Sequence, residues 1–341
     1  MLRGTLRKPP SLRSLSYFIF PLPLFINMGN VVVLGSLNFD TVAVVDEFPK
    51  PGNTILARSL TFRAGGKGGN QAIAAAKQGA GVMMIGSVGD DSAGDAYLEL
   101  LKHRGVRTDG VVVRKGTPTG TALICVNKEA ENTIVVGLGA NELLTDLEVQ
   151  DQQQWIAMGT IMLVQFEVPM EAVVAALKLA KTTGTTTCLN PSPWREGFPW
   201  GSVDLDFVIV NEHEATQLLG KPVRSLGDIG WIRARTKEMG INTLIVTRGA
   251  ESTIAFSNRG PSLEVPTMPA TPVDTTGAGD CFAGVFAARW AESPALELSL
   301  RAASVAGTLA TLKPGAQDSI PDRNDVDDAL GDAIRELMRT S

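Results

Sequence analysis

Val31-Val32-Val33-Leu34-Gly35 is an unbroken apolar run closed by a glycine. No polar residue alternates within it, so the strand it predicts is buried on both faces, as in a parallel sheet covered by helices. The same signature recurs at residues 82–85, 161–166, 186–189, 207–210 and 244–246. Helical stretches lie between these runs. Residues 71–78 are Ala-rich and followed by Gly79. Residues 93–103 end before Gly105, a helix stop. Residues 171–181 and 232–238 complete the alternation. The expected fold class is α/β, a three-layer arrangement with a parallel-rich sheet between helices.

Two regions break this rhythm. Residues 41–62 and 121–136 read as strand pairs with polar alternation, and Asn127-Lys128-Glu129-Ala130-Glu131-Asn132 is a polar turn. They predict a small, mostly antiparallel β lid within about 38–65 and 117–138. A half-exposed sheet needs a cover: a ligand, a lid contact or a second subunit. The expectation is a homodimer joined lid to lid.

The chain has 341 residues, 44% of them hydrophobic, enough for a sizeable core in one large domain over 29–330. The net charge of −5 argues against an electrostatic nucleic-acid binder, while leaving room for a local basic patch that holds phosphate. Cys125, Cys188 and Cys281 are far apart and form no CxxC pair, which argues against a disulfide framework or a zinc site. With His103 and His213 as the only histidines, a Ser-His-Asp triad has little material. Residues 1–28 carry Arg3, Arg7, Lys8 and Arg13 without an acid, followed by an apolar patch broken by Pro21 and Pro23. That patch is too short to span a membrane. The stretch reads as an unstructured extension with Met28 as the working start, or as a targeting peptide. No membrane partner is expected.

Four segments carry chemistry. Val273-Asp274-Thr275-Thr276-Gly277-Ala278-Gly279-Asp280 runs into apolar residues at helical spacing. Its Gly-Ala-Gly turn opens a helix and puts Asp280 in the first turn. Backbone N–H groups and the helix dipole suit an anion there, and the carboxylate suits a general base. An Asp capping its own helix reads equally well. Gly65-Gly66-Lys67-Gly68-Gly69-Asn70-Gln71-Ala72 is Gly-rich before a helix. It is no Walker A loop, because Gly68 stands where the hydroxyl belongs. Lys67 and Asn70 could donate to a polyhydroxylated ligand, and a plain structural turn is the competing reading. Asn38-Phe39-Asp40 follows the first strand, where open α/β sheets bind ligands. The competing reading is turn chemistry. Asn211-Glu212-His213-Glu214 follows another strand and offers oxygen ligands to Mg²⁺, or else an N-cap with acids in the first turn.

Together and in this order, these segments resemble the ribokinase branch of the PfkB carbohydrate kinase family, over nearly all of residues 30–321. Asp274 to Asp280 resembles the C-terminal family motif, and Gly65 to Asn70 the N-terminal one. Gly139-Ala140-Asn141, Asn190-Pro191-Ser192-Pro193 and Lys313-Pro314-Gly315-Ala316-Gln317 also look like the ribokinase branch.

The resemblance implies ATP-dependent phosphorylation of D-ribose at its 5-hydroxyl, in the cytoplasm, with nuclear residence or organelle targeting left open. It implies Asp280 as base and Gly277, Ala278 and Gly279 as the anion hole. Asn38, Asp40, Gly66, Lys67, Asn70 and Glu167 would hold ribose. Asn211, Thr247, Arg248, Gly249, Gly279 and Asp280 would contact ATP, with Asn211 and Glu214 arranging Mg²⁺. Asp274, Thr276, Ala310, Lys313, Gly315 and Ser319 would hold K⁺. Residues 301–304 should border the purine pocket, with Ser304 where many relatives carry a larger polar residue. The alternatives are another sugar or nucleoside kinase of the family, such as pseudouridine or adenosine kinase, and a non-catalytic sugar or nucleotide sensor. A dinucleotide-dependent dehydrogenase would need GxGxxG after the first strand, and Gly35-Ser36-Leu37-Asn38 lacks it.

Overall fold

The computed structural model describes residues 29–129 and 131–340, so the reading of residues 1–28 lies outside it. In chain order the elements are β1 (Asn30–Leu34), β2 (Asn38–Val44), β3 (Ser59–Gly65), α1 (Lys67–Lys77), β4 (Gly81–Gly89), α2 (Ser92–His103) and β5 (Val106–Arg114). There follow β6 (Thr121–Val126), β7 (Asn132–Gly137), α3 (Asp146–Asp151), α4 (Gln153–Met158), β8 (Ile161–Gln165), α5 (Met170–Thr183), β9 (Thr186–Asn190), β10 (Leu205–Asn211) and α6 (Glu212–Leu219). The chain ends with α7 (Ile229–Glu238), β11 (Ile241–Thr247), β12 (Ser252–Ser257), β13 (Leu263–Pro266), α8 (Ala278–Glu292), α9 (Leu296–Ala310) and α10 (Arg323–Thr340).

The main sheet has nine strands in the order β13-β12-β11-β10-β9-β8-β1-β4-β5. It is parallel from β11 to β5 and antiparallel at the β12 and β13 edge. All the strands expected from apolar runs lie in its parallel part. The runs are apolar throughout because each strand feeds two cores at once. Val31 and Val33 pack with Ala72 of α1, Phe286 of α8 and Ala303 of α9. Val32 and Leu34 pack on the other face with Val173 and Leu177 of α5. Each such side chain removed from water contributes about 1.5–3 kcal/mol. Among the described residues, no helix is long and apolar enough to cross a membrane.

The smaller sheet has the order β3-β2-β6-β7. Its outer pairs are antiparallel and its central β2–β6 pair is parallel, consistent with the mostly antiparallel lid expected. Register puts Asp40, Arg63, Ala122 and Val136 side by side on one face, while Phe62, Leu123 and Val135 share the other. Phe62, Leu123 and Val135 are exposed.

The Gly-rich segment differs from its reading as a loop before a helix at residues 71–78. The helix starts at Lys67, so Gly68, Gly69 and Asn70 are helical. Glycine is a poor helix former. Here packing overrides propensity, because the glycines let α1 run against the end of β1: a Cβ on Gly68 would lie 2.6 Å from Gly35 C.

Candidate active site

From β1 the sheet grows one way through β4 and the other through β8, so its topology switches direction at the carboxyl ends of β1 and β8. Such a switch leaves a crevice for ligands. There Ser36 Oγ donates to Glu167 Oε2 at 2.5 Å, and the Lys67 amide donates to the same oxygen at 3.0 Å. Glu167 thus closes the N-terminus of α1 from 100 residues away, while its Oε1 has no donor among the described residues. Gly66 caps α1 at φ +81°, where a Cβ would meet Asn38 N at 2.8 Å. Asn38 is buried beside it and accepts from Asn141 Nδ2 at 2.9 Å. Asp40 lies over Gly65, which has no Cβ to collide with Asp40 Oδ2. The Ala122 amide donates to Asp40 Oδ1 at 2.9 Å. Asn38, Asp40, Gly66, Lys67, Asn70 and Glu167 therefore lie together where the lid strands meet the start of α1.

Burial pushes the Asp40 carboxyl up to about 6, against the Ala122 bond and with help from the Glu167 charge. Above that pH it is a double acceptor for hydroxyls. Below it, one oxygen becomes a donor and the pairing is lost. The kcat/KM for a sugar bound here should fall with acidification below pH about 6, with an apparent pKa near that value. Asp40→Asn should have a low kcat/KM without that limb. A limb that survives in Asp40→Asn belongs to another group.

The opposite wall is the start of α8. Gly277 caps it at φ +76°, and a Cβ there would lie 2.9 Å from Ala316 Cα. The first amides of a helix lack intrahelical acceptors. In this turn Ala278 N bonds Thr275 O at 3.2 Å, and Cys281 N bonds Gly277 O at 2.8 Å. The amides of Gly277, Gly279 and Asp280 have no protein acceptor among the described residues. Of the three amides expected to form an anion hole, that of Ala278 is engaged within the turn, while those of Gly277 and Gly279 are unbonded, as is that of Asp280.

The Asp280 carboxyl is buried. Its Oδ2 accepts from Asn70 Nδ2 at 2.9 Å, its Oδ1 from Gln71 Nε2 at 3.2 Å, and Lys67 Nζ stands 3.9 Å from Oδ1. The Asp280 charge, opposed by burial and helped by Glu167 and Glu214, holds the Lys67 ammonium above its ordinary value. Lys67 and Asn70 of α1 are thus direct neighbours of Asp280, more than 200 residues away in the chain.

Beyond the turn lies a cavity of about 610 Å³, lined in part by Thr247, Gly249, Thr253, Gly279, Phe282 and Ser304. Ser304 Oγ donates to Thr253 Oγ1 at 3.1 Å, whereas Arg301 turns aside to pair with Glu297. Asn211 is opposite Thr247 in the β10–β11 register. Arg248 departs from its expected place at a nucleotide phosphate. Its guanidinium is buried among Ser252, Glu264, Glu251 and the Arg224 carbonyl, and it does not line the cavity. Its role there is to tie β11 to β13.

Asn211 and Glu214 form a capping box on α6: Asn211 Oδ1 accepts from Glu214 N at 2.8 Å and Glu214 Oε2 from Asn211 N at 3.0 Å. Among the described residues, no cluster of three His, Cys, Asp or Glu could cage a metal. Asp274 Oδ1 accepts from Thr276 N at 2.9 Å and its Oδ2 from Gly315 N at 2.8 Å. Thr311 O accepts from Val273 N and Asp274 N, joining this loop to the end of α9, where Ala310 lies. Ser319 is buried and donates to Ala316 O at 3.1 Å, and Lys313 is exposed. Burial works to raise the Asp274 carboxyl, but the Gly315 and Thr276 bonds with the Arg63 charge hold it below its usual range.

Several contributors were given no role from the sequence. Gln165 Nε2 donates to Gln71 Oε1 at 2.6 Å, and Gln71 Nε2 also reaches Asn190 Oδ1 at 3.1 Å. Gln165 and Asn190 are polar residues at the ends of β8 and β9, and Asn190 also opens the ribokinase-like segment 190–193. Arg63 crosses from the lid to Gly315, close enough that a Cβ on that glycine would meet Nη1 at 2.5 Å.

With this geometry in view, the chain can be set beside known proteins. Residues 28–323 match the family described as pfkB family carbohydrate kinase. The chain belongs to that family. A Bacillus subtilis ribokinase is 38% identical over 307 residues, covering 89% of this chain and 100% of that protein. A mouse ribokinase is 33% identical over 304 residues, covering 88% and 94%. The Arabidopsis thaliana ribokinase, solved with ribose and ATP, matches with a TM-score of 0.83 at 31% identity, covering 89% of this chain and 98% of that one. This pfkB member therefore has the ribokinase-like fold and is a sugar kinase of the ribokinase type.

Proposed function

We propose that this chain transfers the γ-phosphoryl group of ATP to the 5-hydroxyl of D-ribose, giving D-ribose 5-phosphate and ADP. The observation that carries the reading is the junction at α8. A carboxylate held by Asn70 and Gln71 stands in the same turn as the unbonded amides of Gly277, Gly279 and Asp280. A base and an anion site in one turn serve phosphoryl transfer, whereas a sensor needs no base. The Arabidopsis relative, solved with ribose and ATP, supports the substrate pair.

In this mechanism ribose lies between Asp40 and Asn38 on the lid and Lys67 at the start of α1 with Glu167 just past β8. Asp280 takes the proton of the 5-hydroxyl as its oxygen bonds to the γ-phosphorus. The bond to the β-phosphate bridging oxygen breaks, and ADP leaves. The amides of Gly277, Gly279 and Asp280, at the positive end of α8, meet the charge on the transferred group. ATP reaches them from the cavity lined by Thr247 and Gly249, and the lid excludes water that would compete for the phosphoryl group. Mg²⁺ needs few protein ligands; Asn211 and Glu214 would help to hold it beside the nucleotide, where it would offset phosphate charge. The oxygen-rich loop of Asp274, Thr276, Ala310, Lys313, Gly315 and Ser319 suits K⁺, which would order the neighbouring turn without joining the chemistry.

A coupled ADP-release assay over ribose, 2-deoxyribose, fructose and nucleosides, in K⁺ and in Na⁺, tests this reading. Ribose should give the highest kcat/KM, and K⁺ should exceed Na⁺. A Salmonella typhi relative named deoxyribokinase is 32% identical, which makes 2-deoxyribose the second reading. Turnover of a nucleoside in preference to both sugars overturns the assignment, and equal rates in the two cations remove the K⁺ site. Dimerisation through the exposed lid face of Phe62, Leu123 and Val135 belongs to the same proposal. Sedimentation of Phe62→Glu as a monomer beside a dimeric parent supports it, and a monomeric parent refutes it.

A further inference from the structure

The candidate base is joined to the lid by an unbroken row of hydrogen bonds. Gly65 ends lid strand β3, and its carbonyl accepts from the Tyr97 hydroxyl at 2.6 Å. Gln317 Nε2 donates to that hydroxyl oxygen at 2.7 Å and to Asn70 Oδ1 at 3.0 Å. Asn70 Nδ2 donates to Asp280 Oδ2 at 2.9 Å. Tyr97 comes from α2, Asn70 from α1, Asp280 from α8 and Gln317 from the segment after α9. All of these residues are buried.

Both ends of the row fix its polarity. A carboxylate only accepts, so Asn70 must turn its NH₂ to Asp280 and its carbonyl to Gln317. Gln317 must then present its own NH₂ to Asn70. At the other end a backbone carbonyl only accepts, so the single Tyr97 proton must go to Gly65, and the hydroxyl oxygen must accept from Gln317. Burial holds the Tyr97 phenol well above its ordinary value, so it keeps that proton. The Gln317 Oε1 is left buried without a partner among the described residues. An apolar side chain would fill this place without that penalty. Room for the row is specific too: Gly69 lies where a Cβ would collide with the Tyr97 hydroxyl.

Gly65 is also the residue over which Asp40 lies. The strand end that Asp40 covers is therefore the one whose carbonyl Tyr97 holds. We propose that Tyr97 and Gln317 are positioning residues, a buried relay through which the lid strand holds Asp280 in line for the sugar hydroxyl. The inference rests on Asp280 being the base.

Tyr97→Phe removes the hydroxyl and little else, and Gln317→Met removes the central amide at similar volume. Losing one link should lower kcat about 5–20-fold while leaving the KM for ATP within about twofold. The double variant should lose no more than the worse single one, because the links act in series. Melting temperatures of all three separate misfolding from misplacement. Hydrogen exchange over residues 59–66 reads the relay without turnover, and Tyr97→Phe should speed it several-fold. Additive losses, or an unchanged kcat together with unchanged exchange, overturn the proposal. The turnover of the parent chain tests the kinase reading separately, since the relay is read only from ratios to that parent.

Discussion

Asp280→Asn should fold as the parent does and lose about 10²–10⁴-fold in kcat, the usual worth of a positioned general base. The substitution keeps size and shape at a buried position that packs against Asn70 and Gln71. What changes is acceptor capacity. In the parent both oxygens receive an NH₂ group, from Asn70 and from Gln71. An asparagine offers only one oxygen, so one of those two amides must face a second NH₂ or turn away. Lys67 loses the charge that does most to raise it. Melting temperature should therefore fall modestly, and the KM for ribose should change less than kcat. Single-turnover transfer to ribose at saturating ATP is the direct measurement. A variant that transfers at the parent rate would show that the proton leaves by another route, and the base assignment would end there.

The sheet was legible because its information is local. Val31 to Leu34 or Phe207 to Val210 announces a doubly buried strand whatever the rest of the chain does, and the structure places each such run in the parallel sheet. The start of α1 was not legible, because Gly68 and Gly69 argue against a helix and only contact with β1, 33 residues away, makes one there. The site was half legible for the same reason. Asp280, Lys67 and Asn70 stood out through their glycine-rich surroundings. Gln317 stood out only as the end of a ribokinase-like segment, and Tyr97 sits in the middle of an ordinary amphipathic helix; nothing links them until the fold sets them side by side. Arg248 shows the converse. Its place after a strand suggested phosphate, but the edge strand β13, two strands over, supplied Glu264 as an anion. Asn211 and Glu214 satisfy the plain reading as a capping box, and one oxygen of each pairs with the other residue's backbone.

Gly279→Ala should separate activity from stability more cleanly than any other change in the turn. Gly279 is the second residue of α8, and a Cβ built there meets no atom within 4 Å. Its φ is not in the left-handed region, so an alanine strains nothing. Alanine in a helix is better than glycine by roughly 0.5–1 kcal/mol, so the melting temperature should hold or rise. Gly279 also lines the cavity from which the nucleotide would approach, beside the unbonded amides of Gly279 and Asp280. A methyl group there keeps the transferred phosphoryl group off these donors, and losing such a donor lowers kcat by about 10²–10³-fold. Gly277→Ala must behave differently. Its φ is +76° and its Cβ would press on Ala316 Cα at 2.9 Å, so stability and activity should fall together. The diagnostic result is therefore a Gly279→Ala protein that melts no lower than the parent and transfers at least a hundredfold more slowly. If it melts as expected and still transfers at the parent rate, the phosphoryl group does not pass over this turn, and the anion site must be sought elsewhere in the cleft.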